Sequence, residues 1–285
     1  MRSPIKWFGG KGNFVKNLLP LLPSHKYYCE PFGGGASVLF AKRPAEVETY
    51  NDLNSGLVNL FRVLRDKEQF PEFQRLCELT PYSREEFYDC RDKWESEADP
   101  VIQAWRFFVV ARMSFGGQFG SSFGTVIATS RRGMAVQCSM WLSAIEGLPE
   151  VHARLMMVQV ENADFRVILD RYDTPDTLFY CDPPYVPDTR KAKKYDHEMT
   201  EADHIDLVDL LLNIKGKCVL SGYPSPVYDR LTEAGWIRKE FNTACHAAGK
   251  TRNSNLQGAG SVMKHQPRTE VVWIKPISQE YGLFA

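Results

Sequence analysis

The chain has 285 residues, 44% of them apolar and 25% charged, with 35 basic residues balanced by 35 acidic ones. Those values suit a soluble globular protein made of one large domain, or of a core with an insertion. No apolar run approaches the ~20 residues of a membrane span, and the opening Met1-Arg-Ser-Pro-Ile-Lys6 lacks the apolar stretch of a secretory signal. Seven cysteines, odd in number and without a CxxC pair, read as reduced core thiols of a cytoplasmic protein, and a zinc site is not expected.

A net charge of zero argues against a nucleic-acid partner, but the distribution of charge reverses that. Pro100 to Ile145 contains no acid and carries Arg106, Arg112, Arg131 and Arg132. Asn242 to Thr269 is again free of acids and carries Lys250, Arg252, Lys264 and Arg268. A third cluster, Arg190, Lys191, Lys193 and Lys194, follows soon after Tyr185. Each segment alone reads as a solvated loop; the three together read as a phosphate-binding face.

In chain order, Lys6-Trp7-Phe8-Gly-Gly-Lys11 is a basic, aromatic, glycine-rich opening, and Asn13 to Leu22 has apolar residues at helical spacing. Tyr27 to Pro31 is a short strand, Phe32-Gly33-Gly34-Gly35-Ala36-Ser37 a glycine turn, and Val38 to Ala41 the start of a helix. Glu46 to Tyr50 is a second strand, ending in Asn51-Asp52-Leu53-Asn54. Strand, glycine turn, helix, strand, acid is the order of a Rossmann-like unit, in which the acid holds ribose hydroxyls. Asp52 lies 19 residues after Gly33, close to the ~20 expected. The turn is not GxGxxG, so a ligand with an adenosine and no diphosphate fits it, S-adenosylmethionine first. The other reading of the glycines is a surface loop.

Residues 56–148 break the strand–helix rhythm. Leu57 to Leu64, Arg84 to Trp94 and Val101 to Met113 predict helices, and Val126 to Val136 predicts a hairpin. This stretch reads as an inserted, mainly helical domain whose acid-free half faces DNA. Strands resume at Leu155 to Val160, followed by Asn162-Ala-Asp164-Phe165 and a helix to Arg171. Thr177 to Cys181 is apolar and aromatic, as a buried central strand is. It ends in Asp182-Pro183-Pro184-Tyr185, where open α/β sheets keep their ligands. Two prolines stiffen that corner, which presents a carboxylate, a carbonyl and an aromatic face suited to a planar group bearing an amine. Alternatively it is a strand-ending turn with an Asp cap. A capping box at Thr200-Glu-Ala-Asp203 opens a helix to Leu212, and strands at Lys217–Ser221, Trp236–Phe241 and Glu270–Ile274 complete an α/β sheet.

Taken together, these motifs resemble the Dam-type, D12 class of DNA adenine-N6 methyltransferases, in the family's order and over nearly the whole chain. The resemblance implies a Rossmann-like S-adenosylmethionine-dependent catalytic domain over 1–55 and 149–285, with a target-recognition insertion over 56–148. It implies donor contacts from Trp7, Lys11, Phe32, Gly34, Asp52, Asp164 and Asp182, with S-adenosylhomocysteine as product. Asp164 is read either as a contact near the adenine ring or as a helix N-cap. Asp182, Pro183, Pro184 and Tyr185 would form the catalytic corner: Asp182 and the Pro183 carbonyl accept the N6 hydrogens of a flipped adenine, and the Tyr185 ring stacks on it, its hydroxyl being dispensable. Cys181 is read as a buried strand residue and not a nucleophile. Arg112, Gln118, Ser121, Arg131, Arg132, Lys191, Lys193, Lys250 and Arg252 are the candidate contacts to double-stranded DNA. Ala36 stands where the family carries a glycine, which is tolerable at negative φ and strained in a left-handed turn. A monomer of bacterial or phage origin is expected, with GATC as the family's default site. Competing readings are a cytosine-N4, RNA or protein N-methyltransferase, a non-catalytic DNA-binding relative, and a dinucleotide-dependent oxidoreductase.

Overall fold

A computed structural model describes residues 1–7, 9–185, 198–244 and 267–276. The chain divides into two compact units, Met1–Asp182 with Ile214–Lys217, and Pro183–Asn213 with Cys218–Ala285. In the first, a short α1 (Val15–Leu18) tightens into a 3-10 turn at Leu19–Leu21, where Pro20 enters. There follow β1 (Tyr27–Glu30), α2 (Ser37–Ala41), β2 (Val47–Asn51) and α3 (Ser55–Arg65). Next come α4 (Phe70–Leu79), α5 (Arg84–Lys93), α6 (Pro100–Met113), a ribbon of β3 (Ser130–Arg131) and β4 (Met134–Ala135), α7 (Val136–Glu146) and α8 (Leu148–Leu155). The unit closes with β5 (Val158–Glu161), α9 (Phe165–Tyr172) and β6 (Thr177–Cys181).

Its strands lie in the order β5-β2-β1-β6, all parallel, with Tyr27 opposite both Val47 and Thr177 and Glu48 opposite Val158. Every residue of β6 is buried, as a strand covered on both faces should be. Parallel neighbours put the carboxyl ends of β1, β2, β5 and β6 at one edge, so the glycine turn, Asp52, Asp164 and Asp182 all leave the sheet there.

The stretch between β2 and β5 is mainly helical, as the loss of strand rhythm predicts. Asn54 caps α3 by accepting from Leu57 N at 2.9 Å, and Asp99 caps α6. Phe107, Phe108, Val109 and Val110 of α6 are fully buried, so α6 is the core helix of this region. α4, α7 and α8 are additions to the sequence reading. The ribbon turns at Arg132 and Gly133, both with positive φ (57° and 73°), the geometry whose twist matches paired strands.

In the second unit, α10 (Glu201–Asn213) and α11 (Pro226–Glu233) accompany β7 (Lys217–Gly222), β8 (Ile237–Ala244) and β9 (Pro267–Ile274). The capping box forms reciprocally, Thr200 N to Asp203 Oδ2 at 2.9 Å and Asp203 N to Thr200 Oγ at 3.2 Å. β9 runs antiparallel to both neighbours, Val219 and Ile237 each lying opposite Ile274. Parallel strands with helical crossovers in one unit and a closing antiparallel set in the other make the Rossmann-like α/β fold that the motif order implies. Lys191, Lys193, Lys250 and Arg252 lie outside the described residues, as do Phe8 and Cys245. The other six cysteines are free thiols, five of them buried, Cys181 included.

Two buried carboxylates hold the framework of the first unit. Glu48 on β2, 1% exposed, receives Lys42 Nζ at 2.6 Å and the Arg154 guanidinium at 2.5 Å, tying the end of α2 and α8 to the sheet. Arg154 also donates to Leu39 O at 3.2 Å. Removing one partner from such a buried set strands the others, so Glu48→Ala should lower unfolding free energy by ~3–5 kcal/mol in denaturant titration; a loss below about 1 kcal/mol would refute the assignment.

Glu30, at the end of β1, accepts from Tyr28 Oη at 2.6 Å and from Leu39 N at 2.8 Å. Burial pushes its carboxyl up to about 8, against the lowering pull of those two donors and of Lys42. The folded chain therefore binds a proton that the unfolded chain has released above about pH 4.3. This contribution to stability is complete below that pH, shrinks as pH rises, and is gone above about 8. Glu30→Gln keeps the accepting oxygen and cannot ionise. Melting curves should show it close to wild type at pH 5 and more stable than wild type at pH 9; an offset independent of pH would exclude a neutral Glu30.

Candidate active site

The edge where the parallel strands end is drawn together by two neighbouring side chains. Asp52 Oδ2 accepts from Gly34 N at 2.8 Å, while Oδ1 accepts from Asn54 N at 2.8 Å. Asn51 donates to Pro31 O at 2.8 Å and to Ala163 O at 3.0 Å, and accepts from Ala163 N at 2.9 Å. The turns after β1, β2 and β5 are thus joined by the last residue of β2 and its successor. Tyr50 adds a hydroxyl bond to Gly34 O at 2.8 Å.

The glycines of the first turn have separate physical reasons. A Cβ on Gly33 would fall 2.1 Å from the Tyr50 ring and 3.0 Å from Asn51 O, so no side chain fits there. Gly34 has φ +48°, and a Cβ there would meet the Trp7 indole at 3.1 Å. Ala36 adopts φ 53°, ψ 38°, the left-handed geometry that its methyl resists at a cost of roughly 1–2 kcal/mol. Its N–H donates to Gly33 O at 2.7 Å and its carbonyl accepts from Phe40 N at 3.1 Å, which hold it in place. The substitution leaves the expected turn intact and strained.

Lys11 reaches the end of β6, its Nζ 2.8 Å from Asp182 Oδ1, with the lysine 6% and the aspartate 17% exposed. A nearly buried ammonium against a carboxylate is a charge-assisted contact; it joins the basic opening to the catalytic-corner candidate. Trp7 stands beside it in sequence, stacked on Phe107 (centroids 5.9 Å, 28°) and tilted against Phe119 (5.7 Å, 54°). One side of the indole meets the glycine turn and the other the helical region. Phe32 packs on Phe165 at 5.2 Å. Asp164 accepts from Arg166 N at 2.8 Å, and its carboxylate lies 3.1 Å from the Arg166 guanidinium. Of the two readings of Asp164, the N-cap is the geometry present.

In the second unit Tyr185 is 8% exposed, its ring 4.1 Å from that of Tyr223 at 49°. Its hydroxyl donates to Glu270 Oε1 at 2.6 Å. The hydroxyl, which stacking alone does not require, thus makes a short buried bond. Glu270 and Tyr223 escaped the sequence reading. The one signal was a carboxylate opening the otherwise apolar run Val271–Ile274.

The basic residues between Pro100 and Ile145 are less available than their number implies. Arg112 donates to Pro4 O at 3.4 Å and Met140 O at 2.8 Å, and burial lowers its guanidinium to about 10. These bonds tie the N-terminal segment to α7. Arg106 pairs with Asp89 at 2.7 Å and Glu97 at 3.5 Å. Arg132 pairs with Glu146 at 2.8 Å, both partly in solvent. Ser121 Oγ donates to Phe115 O at 3.2 Å, and Gln118 O accepts from Ser121 N at 3.1 Å. Arg131 is exposed on the ribbon, without a partner among the described residues. Ile127, just before it, is 89% exposed and was not anticipated.

The chain is similar to known methyltransferases. Over 282 residues the chain is 26% identical to the Type II methyltransferase M1.LlaDCHI of Lactococcus lactis subsp. cremoris, covering 92% of this chain and 93% of that one. It is 25% identical over 194 residues to a DNA adenine methylase of Vibrio cholerae serotype O1, covering 65% of this chain and 66% of the relative. Against the DNA N-6-adenine-methyltransferase of Escherichia phage P1 it is 25% identical over 223 residues, 74% of this chain and 28% of the larger protein. Residues 7–244 match the model of the D12 class N6 adenine-specific DNA methyltransferases. That match spans most of the sequence, and the chain belongs to the D12 class of N6 adenine-specific DNA methyltransferases.

Proposed function

We propose that the methyl donor of this DNA adenine methyltransferase is S-adenosylmethionine, held at the turn after β1, and that the acceptor is N6 of an adenine flipped out of double-stranded DNA. The observation that carries the reading is the convergence at one sheet edge of Asp52 on Gly34 N and Lys11 on Asp182. The turn brings bare backbone to this edge: Gly33 has no room for a Cβ, Gly34 has a positive φ, and the Trp7 indole lies beside it, an aromatic face for an adenosine. Trp7, Phe32, Gly34 and Asp52 would hold the adenosine end, with Lys11 and Asp182 beyond them. When bound, the donor supplies an electrophilic methyl sulfonium, and release leaves S-adenosylhomocysteine.

The chain's own task is positioning. The adenine N6 lone pair is delocalised into the ring and nucleophilic only when the amine pyramidalises. Asp182 and the Pro183 carbonyl would accept the two N6–H bonds in that geometry, and Pro183 and Pro184 keep the acceptors from drifting. Tyr185 supplies the ring on which the base stacks. Asp164 caps α9 beside this edge and would border the donor's adenine.

The helical stretch 56–148 would read the target, within a catalytic frame of 1–55 and 149–285. Exposed Arg131 and Ile127 favour this, since an arginine can pair with a guanine edge and an apolar tip can enter between bases. Gln118, Ser121 and Arg132 lie on the same stretch, and Lys191, Lys193, Lys250 and Arg252 would add phosphate contacts. GATC is the default site and a monomer the default state to test, and the bacterial and phage relatives favour the cytoplasm.

Nucleoside mass spectrometry of unmethylated plasmid treated with protein and S-adenosylmethionine should yield N6-methyladenine with wild type and none with Asp182→Ala. Turnover by the variant within tenfold of wild type would remove Asp182 from the chemistry. Arg131→Ala should weaken DNA binding and reduce the salt slope by about one. Arg112→Ala should lower the melting temperature with the salt slope unchanged.

A further inference from the structure

Stacking on a base needs a ring and not a phenol, yet the Tyr185 hydroxyl is carried into the interior of its unit. There it donates to Glu270 Oε1 at 2.6 Å, the length of a strong hydroxyl–carboxylate bond. Glu270 is 6% exposed on β9, and the next residues, Val271, Val272 and Trp273, are fully buried. A carboxylate among them is costly unless its oxygens are used. Across β9, Val271 faces Gly222, so the end of β7 and its continuation, Tyr223, come alongside. Tyr223 sets its ring 4.1 Å from that of Tyr185. Tyr185 is therefore fixed at its hydroxyl by Glu270 and along its ring by Tyr223, while Pro183 and Pro184 stiffen the chain that delivers it.

We propose that Glu270 is a positioning residue for methylation: by holding the Tyr185 hydroxyl it sets the plane of the ring against which the flipped adenine stacks, with Tyr223 as the brace. The inference rests on the reading of Tyr185 as the stacking ring. Glu270 touches no reacting atom and acts wholly through Tyr185. A ring left to rotate would still bind DNA but would present the base out of line, which lowers kcat more than it raises KM.

The test is a double-mutant cycle on plasmid methylation, with kcat, KM and melting temperature measured for each protein. Tyr185→Phe and Glu270→Ala should each lower kcat by about ten- to hundredfold, and their combination should lower it no further, because both delete one bond. Glu270→Gln keeps an accepting oxygen and should recover most of the loss. Where Glu270→Ala melts too early to assay, Glu270→Leu fills the space without an acceptor and replaces it in the cycle. Multiplying losses in the double variant, or wild-type kcat in the Glu270 variants beside a defective Tyr185→Phe, would overturn the proposal. Full turnover by Tyr185→Ala would overturn the stacking reading itself, an outcome distinct from failure of the Glu270 link alone.

Discussion

The last two positions of the second strand's exit, Asn51 and Asp52, are the constraint from which the candidate site follows. Parallel strands deliver their carboxyl ends to one edge but leave the following turns free to diverge. Asn51 prevents that by bonding the turns after β1 and β5, and Asp52 by taking the Gly34 amide. Both residues direct polar groups to backbone, which fixes the main chain of the turns, and Tyr50 and Trp7 pack against the first of them. Gly33, with no room for a Cβ, and Ala36, held left-handed, are the local consequences. The strain at Ala36 is tolerated because its neighbours over-determine it.

Three of the four arginines in the acid-free stretch 100–145 are engaged within the protein: Arg106 pairs with two acids around α5, Arg132 pairs with Glu146 at the stretch's boundary, and Arg112 donates to carbonyls. A neutral chain with basic segments can thus present far less positive surface than its sequence implies. Lys11 follows the same pattern, being nearly buried against Asp182.

Much of this was legible in sequence wherever the determining interactions are local. Thr177 to Cys181 reads as a buried strand, Thr200 and Asp203 are a capping box by spacing alone, and the glycine turn with an acid after the next strand marks the edge where the parallel strands end. α4, α7, α8 and α11 were harder, because three of them carry a proline at their first or second residue and their periodicity is short and mixed. The long-range pairings left no trace. Nothing near Arg112 announces Pro4, and nothing near Tyr185 announces Glu270, 85 residues on. Residue type predicted that an arginine or a tyrosine would do something polar; only the fold decides with what.

Trp7 belongs to two neighbourhoods at once. Its indole lies where a side chain on Gly34 would be, and its face lies on Phe107 and Phe119 of the helical region. A side chain shared in this way makes the two neighbourhoods thermodynamically reciprocal. Any change in affinity that a ligand at the Gly34 turn causes, through Trp7, for a ligand at Phe119 is matched by the same change in the affinity of the turn for its own ligand.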